Sequence, residues 1–267
     1  MSKFPPTTSP GMTALITGAS GGIGLDLARL LAADKYNLIL VARNADKLGQ
    51  IAVELRDKHK IQAVAVPIDL ADPAAPEELF HLLEERGIGI DVLINNAGFG
   101  THGLFADSDP VAELQMIQVN IIALVHLTRL LLPGMIANQR GRIMNVASTA
   151  AFQPGPFMAG YYASKAFVLS FSEASASELH GRGVTVTALC PGPTDTGFQK
   201  RAGVEDSPLF KSNTMNSVDV ARIGYQGMLK GKRVVITGFK NKTLAFATRF
   251  APRNLVTSIA RKLNSSR

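Results

Sequence analysis

At 267 residues, 46% of them hydrophobic, the chain is long enough to enclose one large core. Its single cysteine, Cys190, excludes an internal disulfide and suits a reducing, cytoplasmic setting. The formal net charge of +7 is unevenly spread: Val220 to Arg267 holds 11 of the 28 lysines and arginines and no Asp or Glu, so the body of the chain is mildly acidic and only the tail is basic.

Met1 to Gly11 is rich in Pro, Ser and Thr without an apolar run, and is expected to be a flexible lead rather than a signal peptide. Thr13 to Thr17 reads as a short apolar strand that runs straight into Gly18-Ala19-Ser20-Gly21-Gly22-Ile23-Gly24, after which Leu25 to Ala33 has helical spacing. Strand, glycine loop and helix in succession make a phosphate cradle: glycines let the backbone approach a pyrophosphate, and the helix N-terminus offers unpaired N–H groups. The n, n+2, n+5 glycine spacing common in dinucleotide folds is absent, and a plain tight turn before a helix is the competing reading. Asn37 to Ala42 is the second strand and ends on Ala42-Arg43. An acidic residue near this point holds ribose hydroxyls in NAD-binding units, whereas an arginine accommodates a 2′-phosphate, so NADP is expected over NAD.

The alternation continues with a helix over 45–58, a strand over 61–68, a helix over 76–86 and a strand over 91–94. A long helix follows over 111–138, opening at Pro110. Its window Ile117 to Ile136 is the most apolar of the chain, but Gln118, Asn120, His126, Arg129 and Pro133 interrupt it, which favours a buried helix over a membrane span. Then come a strand over 142–146, a helix over 159–180, a strand over 184–189, a helix over 217–229 and a strand over 233–236. Seven strands alternating with helices predict an α/β, Rossmann-type, doubly wound parallel sheet. Ligands in such sheets bind beyond the carboxyl ends of the strands. Those ends carry Gly18, Arg43, Asp69, Asn95, Ser148 and Pro191.

Within the helix over 159–180, Tyr161 and Lys165 stand four apart and share a face, with Tyr162 directed elsewhere. A phenol titrates near pH ~10 and a neighbouring cation favours its ionised form, which makes Tyr161 a candidate general acid or base. Taken alone, Tyr-x-x-x-Lys arises by chance in many helices. His59, His81, His102, His126 and His180 are scattered without ligand spacing, so no metal site is expected. Cys190 reads as a small buried residue rather than a nucleophile.

Together these residues resemble the short-chain dehydrogenase/reductase family from about Met12 to Ile236. The motifs are Thr17-Gly18-x-x-x-Gly22-Ile23-Gly24, Asn95-Asn96-Ala97-Gly98, Asn120, Ser148, Tyr161-x-x-x-Lys165 and Pro191-Gly192. Gly18, Gly21 and Gly24 also fit the epimerase-type branch, but chain length and the Asn-Asn-Ala-Gly segment favour the smaller, single-domain branch. The resemblance implies that Tyr161 exchanges a proton with the substrate oxygen as hydride passes to or from the nicotinamide. It implies that Lys165 lowers the phenol's pKa and holds the nicotinamide ribose, that Ser148 polarises the same oxygen, and that Asn120 holds a water in a proton relay. It places Ser20, Gly22, Ile23 and Gly24 around the pyrophosphate, Arg43 at the 2′-phosphate and Asp69 at the adenine. Asn95 and Gly98 would support the sheet and the cofactor ribose, and Pro191, Gly192, Thr194 and Thr196 would line the nicotinamide.

The segments 99–105, 150–158 and 193–216 are expected to surround the substrate. Phe99, Phe152, Phe157, Met158 and Phe198 suggest an apolar pocket suited to a small hydrophobic carbonyl or alcohol: a ketone, an aldehyde or a 3-oxoacyl group. The family's acyl-carrier reductases usually carry Asp-Gly-Gly at the last strand and end soon after; here Ile236-Thr237-Gly238-Phe239 continues to Arg267, which speaks against fatty-acid synthesis. Two readings compete with a reductase: a non-catalytic NADP-binding sensor or scaffold, and a redox-neutral epimerase or dehydratase. The resemblance also implies a homodimer or homotetramer through the long helices near Val111 and Ala159.

The chain thus divides into a lead over 1–11, a catalytic domain over 12–238 and a basic extension over 239–267. In the extension Leu244, Ala247, Phe250 and Ala251, then Leu255, Ile259 and Leu263, recur at helical spacing with basic residues between them. It resembles the tails of bacterial short-chain reductases and, more distantly, of membrane-associated 3-oxoacyl and hydroxysteroid reductases. Residues 240–267 are expected to make a lid, a peripheral membrane contact or a subunit interface. No nucleic-acid partner is expected.

Overall fold

A computed structural model describes residues 11–204 and 214–265. The flexible lead expected at the N-terminus lies outside the described residues except for Gly11, and part of the 193–216 substrate segment lies outside them too. The main sheet has seven strands: β1 (Thr13–Thr17), β2 (Asn37–Ala42), β3 (Ala63–Pro67), β4 (Val92–Asn95), β5 (Gly141–Val146), β6 (Val184–Cys190) and, last in the chain, β9 (Val234–Ile236). Every pairing is parallel, in the order β3-β2-β1-β4-β5-β6-β9. The doubly wound α/β fold is therefore as expected from the alternation.

Parallel strands are covered on both faces, and β1 shows how the sequence meets that demand. All five of its residues are buried. Successive side chains alternate between faces. Ala14 and Ile16 enter one core with Leu38 and Leu40, against Leu27 and Leu31 of α1 (Gly22–Ala33), Leu48 and Leu55 of α2 (Ala45–His59) and Val220 and Met228 of α8 (Ser217–Leu229). Leu15, Ile39 and Leu93 enter the opposite core, against Leu79 and Leu83 of α3 (Ala75–Glu85) and the long helical run before β5.

That run differs from the single helix predicted. It comprises α4 (Pro110–Ile117), a π-helical segment over Gln118–Ala123 and α5 (Leu124–Ala137). Asp109 caps its start by accepting a bond from the amide of Val111. Pro110–Ala137 is long and apolar enough to cross a membrane, yet Met116, Ala123, Leu127, Leu131 and Met135 are buried against the sheet. On the same side lies α6 (Ala159–Glu178). Two short strands not foreseen in the sequence, β7 (Thr194–Asp195) and β8 (Met215–Asn216), pair with each other and are accompanied by α7 (Phe198–Ala202).

The extension forms α9 (Phe239–Ala247) and α10 (Arg253–Asn264). The helices expected from the apolar spacing are present, and their Leu255, Ile259 and Leu263 stripe is exposed. In α10 the buried residues are Val256, Ala260 and Asn264, while Leu255 and Ile259, one position earlier in each turn, are more than half exposed at 53% and 51%.

Candidate active site

A cavity of about 630 Å³ opens along the carboxyl ends of the strands, at the reversal of strand order between β1 and β4. Its floor is the glycine turn. Gly18 and Gly22 both have positive φ, of 67° and 55°, which favours glycine at each. A Cβ at Gly18 would lie 2.7 Å from Asn96 Nδ2, and one at Gly22 would lie 2.9 Å from Thr196 Cγ2. Asn96 holds the turn from behind: its Nδ2 donates to the carbonyls of Thr17 at 2.9 Å and Gly18 at 3.2 Å. The first turn of α1 has no side-chain cap and no acidic residue. Its N–H groups and dipole therefore face the cavity available to an anion.

Ser20, Gly22, Ile23, Arg43, Asp69 and Gly98 all line this cavity. Gly24 does not: a Cβ there would strike Asn96 Nδ2 and the Gly18 carbonyl, so its glycine serves the packing of the turn. Arg43 Nη1 lies 3.9 Å from Asp69 Oδ2, with both side chains about half exposed. Two further cations on the cavity wall were not singled out in the sequence, Lys47 and Arg201. Lys47 sits in the first turn of α2, where its amide donates to the capping Asn44 side chain at 2.9 Å. Arg201 lies 3.9 Å over the Phe99 ring, and its pKa is lowered by burial first and by Arg43 second. Such a cation-rich end fits a phosphorylated dinucleotide.

Asn95 stands behind the cavity. Its Nδ2 donates to Thr128 Oγ1 at 3.1 Å and Asn145 Oδ1 at 2.9 Å, and Asn145 Nδ2 donates to Ser172 Oγ at 2.9 Å. This buried chain ties β4 and β5 to α5 and α6. Asn120, in the π-helical segment, has its amide group engaged: Oδ1 accepts from the amide of Phe99 at 3.1 Å, while Nδ2 donates to the Phe99 carbonyl and Ser164 Oγ, both at 3.0 Å. Its side chain thus clamps the loop after β4 to α6.

Ser148, Tyr161 and Lys165 meet on the wall between β5 and α6. The Ser148 hydroxyl bonds the Tyr161 phenol, also accepts from the amide of Ala150 at 3.1 Å and reaches the Pro191 carbonyl at 3.4 Å. Burial raises the Tyr161 pKa, and the bond to Ser148 opposes part of that rise. Burial pulls Lys165 down from its ordinary 10.5 to about 8. Its Nζ donates to the Val146 carbonyl at 2.8 Å and lies 5.7 Å from the Tyr161 ring centroid. Burial is the largest influence on the Tyr161 phenol, larger than any neighbouring charge. Cys190 is buried and pushed up to about 12, chiefly by desolvation.

Pro191, Gly192, Thr194 and Thr196 line the cavity after β6. Thr194 Oγ1 donates to the Gly192 carbonyl at 2.9 Å, and Gln199 Nε2 to the Thr194 carbonyl at 2.7 Å, which fixes the loop. Of the five apolar residues expected at the substrate, Met158 and Phe198 are on the wall, with the Phe198 ring 5.1 Å from that of Tyr161. The other three are placed elsewhere. Phe99 is buried beneath Arg201, Phe152 packs with Leu124 and Val168, and Phe157, at φ 67°, lies under Arg261. The sequence marked them as apolar but carried no sign of which way the loops turn them.

Tyr162, Ala260 and Leu263 also contribute to the wall. Asn264 secures α10 there. Its Oδ1 accepts from the Tyr162 hydroxyl at 3.1 Å, its Nδ2 donates to the Pro156 carbonyl at 3.0 Å, and its carbonyl bonds His102 Nε2 at 2.8 Å. No metal-ligating cluster of His, Cys, Asp or Glu occurs among the described residues.

A family model described as short chain dehydrogenase matches residues 12–206. The ketoacyl reductase HetN of Nostoc sp. is 36% identical over 239 residues, covering 89% of this chain and 78% of that protein. A very-long-chain 3-oxoacyl-CoA reductase of Phaeosphaeria nodorum is 39% identical over 196 residues; the match covers 71% of this chain but only 56% of the fungal protein. Among solved structures, a short-chain dehydrogenase from Sphingobium yanoikuyae in complex with NADPH superposes with a TM-score of 0.81 at 31% identity, over 91% of this chain and 94% of that one.

Proposed function

This chain belongs to the short-chain dehydrogenase/reductase family of oxidoreductases, and from that premise we propose that it is an NADPH-dependent reductase of hydrophobic ketones, with 3-oxoacyl groups the leading substrate class. The reading rests most on one observation: the paired hydroxyls of Ser148 and Tyr161 share a cavity with a glycine-lined helix N-terminus and the cations Arg43, Lys47 and Arg201. The names of the Nostoc and fungal relatives support the acyl class.

A reduced nicotinamide, when bound, supplies the hydride to the carbonyl carbon. Tyr161 holds its proton because burial raises its pKa, and it donates that proton to the carbonyl oxygen, leaving a secondary alcohol. Ser148, anchored by the Ala150 amide, offers a second hydroxyl to the same oxygen and so orients and polarises it. Lys165 lies close enough to stabilise the phenolate left behind, and near its pKa of about 8 it exchanges protons readily. Met158, Tyr162, Phe198, Ala260 and Leu263 enclose the substrate end in apolar surface that excludes water.

The preference for NADPH is supported by the neutral Ala42 at the end of β2, by the neighbouring Arg43 and Lys47, and by the NADPH in the Sphingobium structure. Assembly as a homodimer or homotetramer is supported by the exposed apolar side chains of Val111 and Leu114 on α4, Ile122 in the π-helical segment and Phe167 on α6. The test follows NADPH absorbance with 3-oxoacyl thioesters and bulky ketones. Net oxidation of NADPH separates a reductase from a redox-neutral cycle. Tyr161→Phe is expected to lower kcat by roughly a hundredfold or more while cofactor binding persists; full activity in that variant would overturn the proton-transfer role.

A further inference from the structure

The two faces of the C-terminal extension differ in what they touch. Inward, Val256, Ala260 and Asn264 are buried, and Ala260 and Leu263 form cavity wall. Outward, Phe239 is 82% exposed, Phe250 75%, Phe246 62% and Leu244 56%, and Leu255 and Ile259 continue the apolar surface along α10. The rings of Phe246 and Phe250 lie 5.0 Å apart, so part of this surface is a contiguous aromatic cluster. Exposed large apolar side chains gathered on two short adjacent helices and the turn between them mark an interaction surface.

The charge around that surface decides what it meets. Lys240 and Lys242 on α9, Arg249 in the turn after it, and Arg253, Arg261 and Lys262 on α10 are all exposed, and the sequence has no Asp or Glu after Asp219. Pairing this surface with itself in a symmetric dimer would bring cations of one sign together. A surface that takes aromatic side chains to a shallow depth and supplies dense negative charge around them satisfies both features. We infer that α9 and α10 dock on an anionic phospholipid bilayer, with Phe239, Phe246 and Phe250 entering the headgroup boundary and the basic residues held at its surface. Because the opposite side of α10 walls the substrate end, docking sets that end of the cavity beside the bilayer. A ketone dissolved in lipid then reaches Tyr161 without crossing bulk water.

The experiment uses the full chain and measures co-sedimentation with vesicles of phosphatidylglycerol and phosphatidylcholine, against vesicles of phosphatidylcholine alone. The intact protein is expected to bind the anionic vesicles more tightly, and the triple variant Phe239→Ser, Phe246→Ser, Phe250→Ser to bind them roughly tenfold or more weakly. Arg249→Glu with Arg253→Glu is expected to weaken binding and remove its salt dependence. NADPH binding and thermal melting show that each variant is folded, and neither depends on turnover, so the outcome is independent of the substrate assignment. No binding by the intact protein overturns the inference, as does binding that the serine variant retains while the charge reversal abolishes it, which would indicate a plain polyanion contact. A change of oligomeric state in the serine variant overturns it too, because a second copy would then cover the face.

Discussion

Lys165 is buried at an energetic cost. Its ammonium is buried, so the folded chain binds that proton less tightly than the unfolded chain, with a pKa of about 8 against 10.5. The unfolded state therefore holds more protons between these values, and the lysine's contribution to stability improves as pH rises through that window. Below about pH 8 the full penalty is present, corresponding to about 3 kcal/mol as an order of magnitude. Urea unfolding measured on either side of the window is expected to show this gain in the native protein and to lose it in Lys165→Met. At the other end of the cavity, Arg43 is half exposed and only loosely paired with Asp69 at 3.9 Å, which leaves it free to meet a phosphate. Arg43→Ala is expected to raise KM for NADPH by roughly tenfold, in keeping with the loss of one charge-assisted contact, and to leave KM for NADH nearly unchanged. Steady-state kinetics with both cofactors checks this. Arg43 could be found from the chain because it directly follows an apolar strand, whereas Arg201 could not, because nothing local indicates that α7 folds back over Phe99.

At the scale of elements, α10 is held to the site by Asn264 rather than by its apolar stripe. Replacing Asn264 with Ala leaves the Tyr162 hydroxyl and the Pro156 carbonyl without this partner, an expected loss of about 1–3 kcal/mol in the docking of the helix. The substrate wall would loosen while Ser148 and Tyr161 stay in place. The expected kinetic signature is a raised KM for hydrophobic ketones with little change in kcat, and faster hydrogen exchange in α10. The π-helical segment over Gln118–Ala123 is a second instance of an element doing what its sequence did not announce. Periodicity there reads as continuous helix; the register shift places Asn120 where its amide group bonds both the loop after β4 and Ser164. The strand ends were the most legible part of the site. Apolar runs have clear limits, and a parallel sheet sends all of its carboxyl ends to one edge.

Among the described residues, exposed large apolar side chains gather along α4 to α6 with the adjoining Leu104 and Phe105, and on the C-terminal extension, while Val53, Val218 and Ile223 stand apart. The first lacks the ring of basic residues that marks the second and suits contact between identical copies. Leu114→Glu with Phe167→Glu is expected to shift the protein to a smaller assembly in sedimentation velocity, with NADPH binding retained. The uneven net charge has a matching meaning. A chain average of +7 conceals a mildly acidic body and a basic tail, and the tail packs beside the substrate end of the cavity.

The family resemblance implied that Ser148 joins Tyr161 and Lys165; by itself the sequence determined the doubly wound sheet, the glycine cradle, the cationic end of β2 and the helical face shared by Tyr161 and Lys165. These follow from local patterns: alternation of strand and helix, glycine where φ is positive, and residues four apart on one helical face. Only the tertiary structure decided which phenylalanines face the cavity, that Tyr162 joins its wall, and that Asn264, more than a hundred residues later in the chain, anchors the helix that encloses it. Those outcomes depend on contacts between distant segments. The direction of a loop side chain, or the face a short amphipathic helix buries, is set by the surface it meets and not by its own spacing.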